Sequence, residues 1–146
     1  MDDDLPDFDL AAFLPYRMTV AAERLSAGLA RRYRDEFGIS VAEWRVLVHV
    51  ADAGFVSVRD IERRVNLEKS KASRAASRLQ AAGLLEKRVN QTDRRLVSLN
   101  LTETGRKLMA QLLVIAIDYQ RRLDALIGPS GAAMDRALKK LLDEDL

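Results

Sequence analysis

A turn built from charged side chains stands near the middle of the sequence, in the stretch VNQTDRRLVSLNLTETG. Asp93, Arg94 and Arg95 lie between LLEKRV and LVSLNLT, two segments whose alternating apolar residues are typical of β-strands. A tight hairpin needs no charge there and favours Asn-Gly or Asp-Gly. Two arginines at a hairpin tip are suited to phosphates and to the negative potential of a DNA minor groove. Because phosphates would repel Asp93, we expect its carboxylate to organise the tip by accepting hydrogen bonds from turn amides or Arg95.

A second group of side chains suited to DNA precedes the turn, in KSKASRAASRLQAAG. Helical spacing predicts that its apolar residues face inward, namely Ala72, Ala75, Ala76 and Leu79. The opposite side carries hydroxyls and cations that reach phosphates and base edges: Ser70, Lys71, Ser73, Arg74, Ser77 and Arg78. Arg74 and Lys71 are the predicted guanine readers. A solvated amphipathic helix would show the same pattern, so the periodicity alone leaves DNA binding open.

The charge of the chain is concentrated around these two segments. From Ser57 to Arg95 there are eleven Lys/Arg and five Asp/Glu, a net charge of +6 in a chain whose net charge is +2. A basic centre between acidic ends is typical of proteins that bind a polyanion. The sequence has no Cys and one His, and it shows no P-loop, dinucleotide fingerprint or nucleophile elbow. We therefore expect no catalytic residue, no metal and no cofactor.

The remaining sequence predicts a mainly α protein of one domain with a small β-hairpin. Periodicity and caps predict helices over about 15–37, 40–54, 57–65, 69–83, 103–127 and 130–142, with the two strands between the fourth and fifth. A short helix, a tight turn, a second helix and a hairpin form a winged helix-turn-helix. No segment approaches the roughly 20 apolar residues of a membrane span, and the acidic start is unlike a signal peptide. A cytoplasmic protein without membrane contact is therefore predicted.

Together these segments resemble the MarR family of bacterial winged-helix transcriptional regulators. The wing of that family reads Asp-x-Arg, three residues, then apolar-x-Leu-Thr-x-x-Gly. The matching positions here are Asp93, Arg95, Leu99, Leu101, Thr102 and Gly105. LEKSKASRAASRLQAAGLLEK is similar to the family's recognition helix and wing entry, and FGISVAEWRVL to the start of its second helix. The resemblance implies a homodimer that binds palindromic double-stranded operator DNA and is released by small molecules, often aromatic acids.

The resemblance also implies how the single domain is divided. An acidic tail over 1–9 precedes dimerisation helices over 10–37 and 103–146, and a winged helix-turn-helix lobe over 38–102 binds DNA. The long last-but-one helix fits a dimer, because its apolar residues cover most of its circumference and one core does not bury them all. These residues are Leu108, Met109, Leu112, Leu113, Val114, Ile115 and Ile117. Leu10, Phe13 and Leu14 are expected to join that interface.

Five side chains are candidates for an effector site between the dimerisation helices and the DNA-binding lobe: Tyr16, Arg17, Trp44, His49 and Tyr119. Arg17 can pair with a carboxylate and the aromatic rings can enclose a flat ligand, so a small aromatic acid is the predicted effector. Taken singly, each residue is explained as well by a core or a solvated position.

These features lead us to predict a sequence-specific DNA-binding transcriptional regulator that acts as a ligand-responsive repressor and is not an enzyme. The residues leave one alternative open, a helical module whose basic hairpin binds RNA or an acidic protein.

Overall fold

The computed structural model describes residues 5–146, which form mainly helices. In chain order, α1 to α6 span Leu14–Phe37, Val41–Ala53, Val58–Arg64, Lys69–Ala81, Glu103–Ile127 and Gly131–Asp143. Strands β1 to β3 span Phe55–Ser57, Leu85–Val89 and Val97–Leu101, and 3₁₀ turns stand at Leu10–Ala12 and Gly128–Ser130. The predicted winged helix-turn-helix is confirmed, with α3 and α4 as its helices and the β2–β3 hairpin as its wing.

The acidic tail predicted over 1–9 is described only in part, because residues 1–4 lie outside the described range. Between residues 5 and 146, no helix combines the length and the apolar character that a membrane crossing requires.

Side-chain caps set helix starts that the sequence predicts. Ser40 Oγ accepts the Glu43 backbone N–H at 3.1 Å, and the Ser40 hydroxyl donates to Glu43 Oε1 at 2.8 Å. Ser57 Oγ accepts the backbone N–H of Asp60 at 3.1 Å. These contacts satisfy N–H groups that the first turn of a helix leaves without a partner. At the other end of a helix, Gly38 terminates α1 with a left-handed φ of 65°.

The sheet has one strand more than the predicted hairpin. β3 pairs antiparallel with β2 and also with β1, so the strand order is β1-β3-β2. In the hairpin, Leu85 lies opposite Leu101 and Val89 opposite Val97. In β1, Val56 is buried and pairs with Leu99, which brings the start of α3 beside the wing.

One hydrophobic core lies between the sheet and the helices around it. All four predicted inward residues of α4 are buried, which confirms the predicted orientation of that helix. α2 also contributes residues to this core. Val46, Leu47 and Val50 are buried, whereas Trp44 and Val48 are only partly buried. Because α2 contacts α1, α3, α4, α5, β1 and β3, its buried surface is wider than one stripe.

A hydrogen-bonded joint connects the end of α4, the base of the wing and the start of α5. The backbone N–H of Thr102 donates to the Leu84 carbonyl at 3.1 Å, and its hydroxyl donates to the Gly83 carbonyl at 2.6 Å. Thr102 Oγ1 also accepts the Gly105 N–H at 2.9 Å and so caps α5. A Cβ on Gly105 would overlap the Leu84 carbonyl oxygen, so this close approach requires glycine. The Thr-x-x-Gly spacing of the sequence is therefore explained by the joint.

Candidate nucleic-acid interface

The polar side of α4, which we call the α4 surface, is fully exposed. It consists of Ser70, Lys71, Ser73, Arg74, Ser77 and Arg78, all of which are exposed. The buried alanines and Leu79 fix the rotation of α4 on the core, so this side is held towards solvent. Arg74 lies along its own helix, with Nε donating to the Ser70 carbonyl at 3.2 Å. That contact has to open before Arg74 reaches a base edge, and DNA contact by the α4 surface stays a prediction.

The wing tip, residues 90–96, is ordered by two of its own side chains. Asn90 Oδ1 accepts the backbone N–H groups of Thr92 and Asp93 at 2.8 and 3.1 Å. Asp93 Oδ1 accepts from the Arg95 backbone N–H at 3.1 Å and from Arg95 Nε at 3.0 Å, and Oδ2 accepts from Nη2 at 3.1 Å. Asn90 was not among the predicted residues of the turn, although Asn is a recognised turn former through this side-chain contact.

The contact between Asp93 and Arg95 fixes both the charge and the orientation of the tip. The Arg95 side chain first, and its backbone N–H second, hold the pKa of the Asp93 carboxyl below its usual value, so Asp93 is ionised at neutral pH. The Arg95 side chain is nevertheless 89% exposed, against 35% for Asp93. Asp93 thus turns towards the protein while Arg95 is presented to solvent in a defined orientation. An effect of this contact on DNA binding stays a prediction.

A groove of about 620 Å³ lies between the wing and the start of α3. Arg59, Lys87 and Arg95 provide its cations, and the exposed Val89 and Leu96 provide apolar surface. Both Arg59 and Lys87 belong to the basic segment of the sequence, but neither was among the predicted DNA-binding residues. They meet because β1 pairs with β3, which no local pattern reveals.

The five predicted effector residues do not share a cavity in one protomer. Tyr16 and Arg17 are exposed in the first turn of α1. Tyr119 donates its hydroxyl to a carbonyl in the middle of α1 at 2.9 Å. Trp44 packs on Tyr33 near the end of α1, with ring centroids 4.6 Å apart. Arg17 and Tyr33 are separated by roughly 24 Å along the helix axis at 1.5 Å per residue, so the prediction of one shared pocket needs correction.

His49 lies in yet another environment, on α2 beside α3. Burial is the largest cause that lowers the pKa of His49 below its usual 6.5, and the charge of Arg64 lowers it further. Asp52 acts in the opposite direction but does not reverse the shift. His49 is therefore a neutral, partly buried residue at pH 7.

A small cavity of about 50 Å³ lies between α1 and α2, and of the five predicted residues Trp44 contributes to it. Tyr33 and Arg45 also line it. Within residues 5–146 the buried Tyr33 hydroxyl has no hydrogen-bond partner, and burial raises its pKa above the usual value. An open groove of about 420 Å³ adjoins the cavity and shares Ser26, Val41 and Arg45 with it. The sequence did not predict this arrangement, because it depends on how α2 packs on α1.

Comparison with known proteins supports the geometry of the lobe. Residues 37–96 match the model of the MarR family. The MarR family transcriptional regulator SPO1453 from Silicibacter pomeroyi DSS-3 is 28% identical, with a TM-score of 0.81 over 94% of this chain and 98% of that one. Another MarR family transcriptional regulator from Silicibacter pomeroyi is 27% identical, with a TM-score of 0.76 over 95% of this chain and 94% of that one.

A third similar structure is BpsR of Bordetella bronchiseptica, whose DNA binding is regulated by 6-hydroxynicotinic acid. It shares the fold at 23% identity, with a TM-score of 0.82 over 96% of this chain and 100% of that one. No curated protein matches the sequence.

Proposed function

We propose that this chain, whose residues 37–96 match the MarR family, is a winged-helix transcriptional regulator that acts as a ligand-responsive repressor and binds a palindromic operator as a homodimer. The match to that family supports a DNA-binding transcriptional regulator and not an enzyme. It also favours DNA over the RNA or acidic protein that a basic hairpin alone would permit. The observation that carries the proposal is the α4 surface, whose six hydroxyl and cationic residues are all exposed on a helix anchored by its buried side.

Exposed apolar residues at both ends of the chain support the homodimer. α6 has thirteen residues, and none of them is buried within the described protomer. An isolated helix of that length is only marginally stable in water, so α6 needs an apolar partner. Leu142 of α6 is 82% exposed and Val114 of α5 is 67% exposed, and Phe13 adds apolar surface before α1. A second copy would cover these residues, and the proposed dimer therefore uses residues 10–37 and 103–146 for dimerisation and residues 38–102 for DNA binding.

Two α4 surfaces in such a dimer would enter successive major grooves, with half-sites one helical turn, about 34 Å, apart. Arg74 and Lys71 are the proposed guanine readers, and Ser70 and Ser73 reach phosphates or thymine methyl groups. Each wing would lie over the neighbouring minor groove, where Arg95 is inserted while Arg94, Ser77 and Arg78 contact the backbone.

The proposed effector is a small aromatic acid bound between α1 and α2. Arg45 supplies a cation for a carboxylate, and Trp44 supplies a flat apolar wall. The buried Tyr33 hydroxyl would gain an acceptor, which removes the cost of an unsatisfied polar group. The BpsR relative is regulated by 6-hydroxynicotinic acid, itself an aromatic acid. A ligand releases DNA when it binds better to a dimer whose α4 helices are wrongly spaced.

The proposal is tested by fluorescence anisotropy with duplexes that tile the DNA flanking the gene for this protein. One duplex should bind at least about a thousandfold more tightly than a shuffled duplex at physiological salt. Light scattering should give twice the mass of the chain at micromolar concentration. A monomer, or equal affinity for every duplex and for RNA, would contradict the proposal. A reporter placed behind the bound site should be expressed more strongly without the protein, since the opposite result would indicate an activator.

The effector is tested on the same complex by screening aromatic carboxylates for release of the duplex. Arg45→Ala and Trp44→Ala should abolish release while operator affinity in the absence of ligand is retained. Arg17→Ala is the matched control, because Arg17 is an exposed arginine of α1 that lines neither the cavity nor the adjoining groove. Release that depends on Arg17 and not on Arg45 would place the site elsewhere.

A further inference from the structure

α5 crosses α1 at a glycine. The Tyr119 hydroxyl of α5 donates to the Leu25 carbonyl of α1 at 2.9 Å. A Cβ built on Gly28 would lie 2.5 Å from the Tyr119 hydroxyl oxygen and 3.4 Å from its Cζ. Tyr119 therefore reaches this position only because residue 28 is glycine. Glycine weakens the interior of a helix relative to alanine, so its place within the 24-residue α1 calls for a packing reason, and the Tyr119 contact provides one.

Charged side chains surround the same crossing. Arg32 Nη1 of α1 donates to Asp118 Oδ2 of α5 at 3.1 Å, and the Arg32 guanidinium carbon lies 5.7 Å from the Tyr119 ring centroid. Arg122 Nε lies 3.2 Å from the same Asp118 oxygen. These ion pairs are partly exposed, and exposed pairs stabilise little on their own. The steric fit between Gly28 and Tyr119 is thus the contact that fixes most sharply where α5 crosses α1.

A shift at this crossing would be passed to the DNA-binding lobe. The chain enters the lobe where α1 ends at Phe37 and leaves it where α5 begins at Glu103. The Thr102 joint connects that start of α5 to the end of α4 by two hydrogen bonds. Any displacement of α5 along α1 therefore displaces the recognition helix, and the two-fold symmetry of a dimer would double the change in distance between the two α4 helices.

We propose that Gly28 and Tyr119 are positioning residues that set the operator half-site spacing by fixing the α1–α5 crossing. The inference rests on the proposed homodimer that reads two half-sites. Neither residue is part of the α4 surface or the wing tip, so their effect on DNA is indirect. Tyr119, which the sequence suggested as an effector residue, has this different role in the structure.

Three variants test the contact on the full-length protein, with anisotropy titrations on the operator and on duplexes whose half-sites are one base pair closer or farther apart. Gly28→Ala places a methyl group against the Tyr119 hydroxyl and should weaken operator binding about fivefold or more, because overpacked helices must be forced back to the native crossing. It should also change the preferred spacing. Tyr119→Phe removes one hydrogen bond and should lower affinity only about twofold.

The double variant Gly28→Ala/Tyr119→Phe is the decisive one. Without the hydroxyl, the nearest neighbour of the new methyl group would be Cζ of residue 119 at 3.4 Å, which is ordinary van der Waals contact. The double variant should therefore bind like Tyr119→Phe and recover the wild-type spacing. The slope of log affinity against log salt should stay the same in all three variants, since no phosphate contact is removed. A general loss of stability would not be rescued by deleting a further hydrogen bond.

If Gly28→Ala binds no more weakly than Tyr119→Phe, the ring of Tyr119 moves aside. That result would overturn this inference and leave the proposed function intact. A double variant as weak as Gly28→Ala would overturn it too. A wild-type protein that is monomeric or does not bind would overturn the proposed function and this inference with it.

If Gly28→Ala does not fold, Tyr119→Leu tests the same inference. Tyr119→Leu removes the ring without adding volume and loosens the crossing. Operator affinity should fall, and the discrimination between the three half-site spacings should become weaker. Unchanged discrimination in a folded, dimeric Tyr119→Leu protein would overturn the inference.

Discussion

Replacing Asp93 by Ala tests whether this acid organises the wing, because two interpretations of the residue predict opposite signs. A solvated carboxylate would repel phosphates, so its removal would tighten DNA binding. In the structure, however, Asp93 accepts three hydrogen bonds from Arg95, two of them from the guanidinium at 3.0 and 3.1 Å. Without the carboxylate, the Arg95 side chain would have to be ordered at the moment of binding. We therefore expect Asp93→Ala to weaken operator binding.

The size of the two effects decides which one dominates. Removing one charge roughly 10 Å from a phosphate in water changes affinity by about twofold, and salt reduces this further. Ordering one long side chain on binding costs a factor of about 2 to 12. With two wings per dimer the factors multiply, so the expected net loss for Asp93→Ala is on the order of tenfold. Arg95 holds the pKa of Asp93 below its usual 3.8. The contribution of the ionised Asp93 to operator affinity is therefore present above pH 3.8 and is lost only as the pH falls through the lowered pKa. Asp93 should thus produce no step in affinity between about pH 5 and pH 8.

The assay is an anisotropy titration with the operator duplex over a series of salt concentrations, with dimer mass checked for each variant. Asp35→Ala is the matched control, since it removes the same charge from an exposed position on α1. Arg95→Ala should weaken binding as well, whereas Arg94→Ala should mainly reduce the salt slope by about one. Tighter operator binding by a dimeric Asp93→Ala protein would refute the reasoning.

Three further predictions concern single residues. Arg74→Ala should cost about 1–3 kcal/mol at the operator and flatten the base preference there, as measured by titration with base-substituted duplexes, while an equal loss on random DNA would assign Arg74 to the backbone. The free energy of unfolding in urea should fall as the pH drops below 6.5, because the lowered pKa of His49 means that the unfolded state takes up the proton first, and His49→Gln should remove this dependence. Gly105→Ala should lower the free energy of unfolding by about 1–3 kcal/mol, because its Cβ meets the Leu84 carbonyl, and an unchanged melting temperature would contradict that account.

The helices and the hairpin are predictable from sequence because their signals are local. Ser40 begins α2 and Gly38 ends α1, and each acts within one turn of its helix. The inward face of α4 follows from the periodicity of that helix alone. β1 is not predictable in this way, because three residues make no pattern and their partner strand follows far along the chain. The burial of both Val46 and Val50 is not predictable for a similar reason, since α2 is enclosed by elements from both halves of the chain.

The same distinction separates the two parts of the candidate site. Asp93 and Arg95 are two residues apart, so their contact follows from turn chemistry, and the structure has it. The predicted effector residues come from three helices, and residue type alone does not state how those helices cross. Arg17 was chosen for its charge, yet the arginine that lines the cavity beside Trp44 is Arg45. Tyr119 was chosen for its ring, yet the ring is used to pack α5 on α1.

The wing motif of the sequence has two structural roles, which lie at opposite ends of one strand. β3 begins just after the tip, where Asp93 orients Arg95, and it ends at Leu101, just before the Thr102 joint. Because β1 and β2 pair with β3 on both sides, the strand is not free to bend between these ends. A fixed number of residues from Asp93 to Thr102 therefore sets a fixed distance from the DNA-contacting tip to the helix that leads into the proposed dimer interface. Inserting two residues in each of β2 and β3 would keep the pairing of the hairpin and the inward and outward alternation of its side chains, but it would displace the tip relative to α4 by roughly 7 Å. We expect such a protein to remain folded and dimeric while it loses the wing contribution to operator affinity.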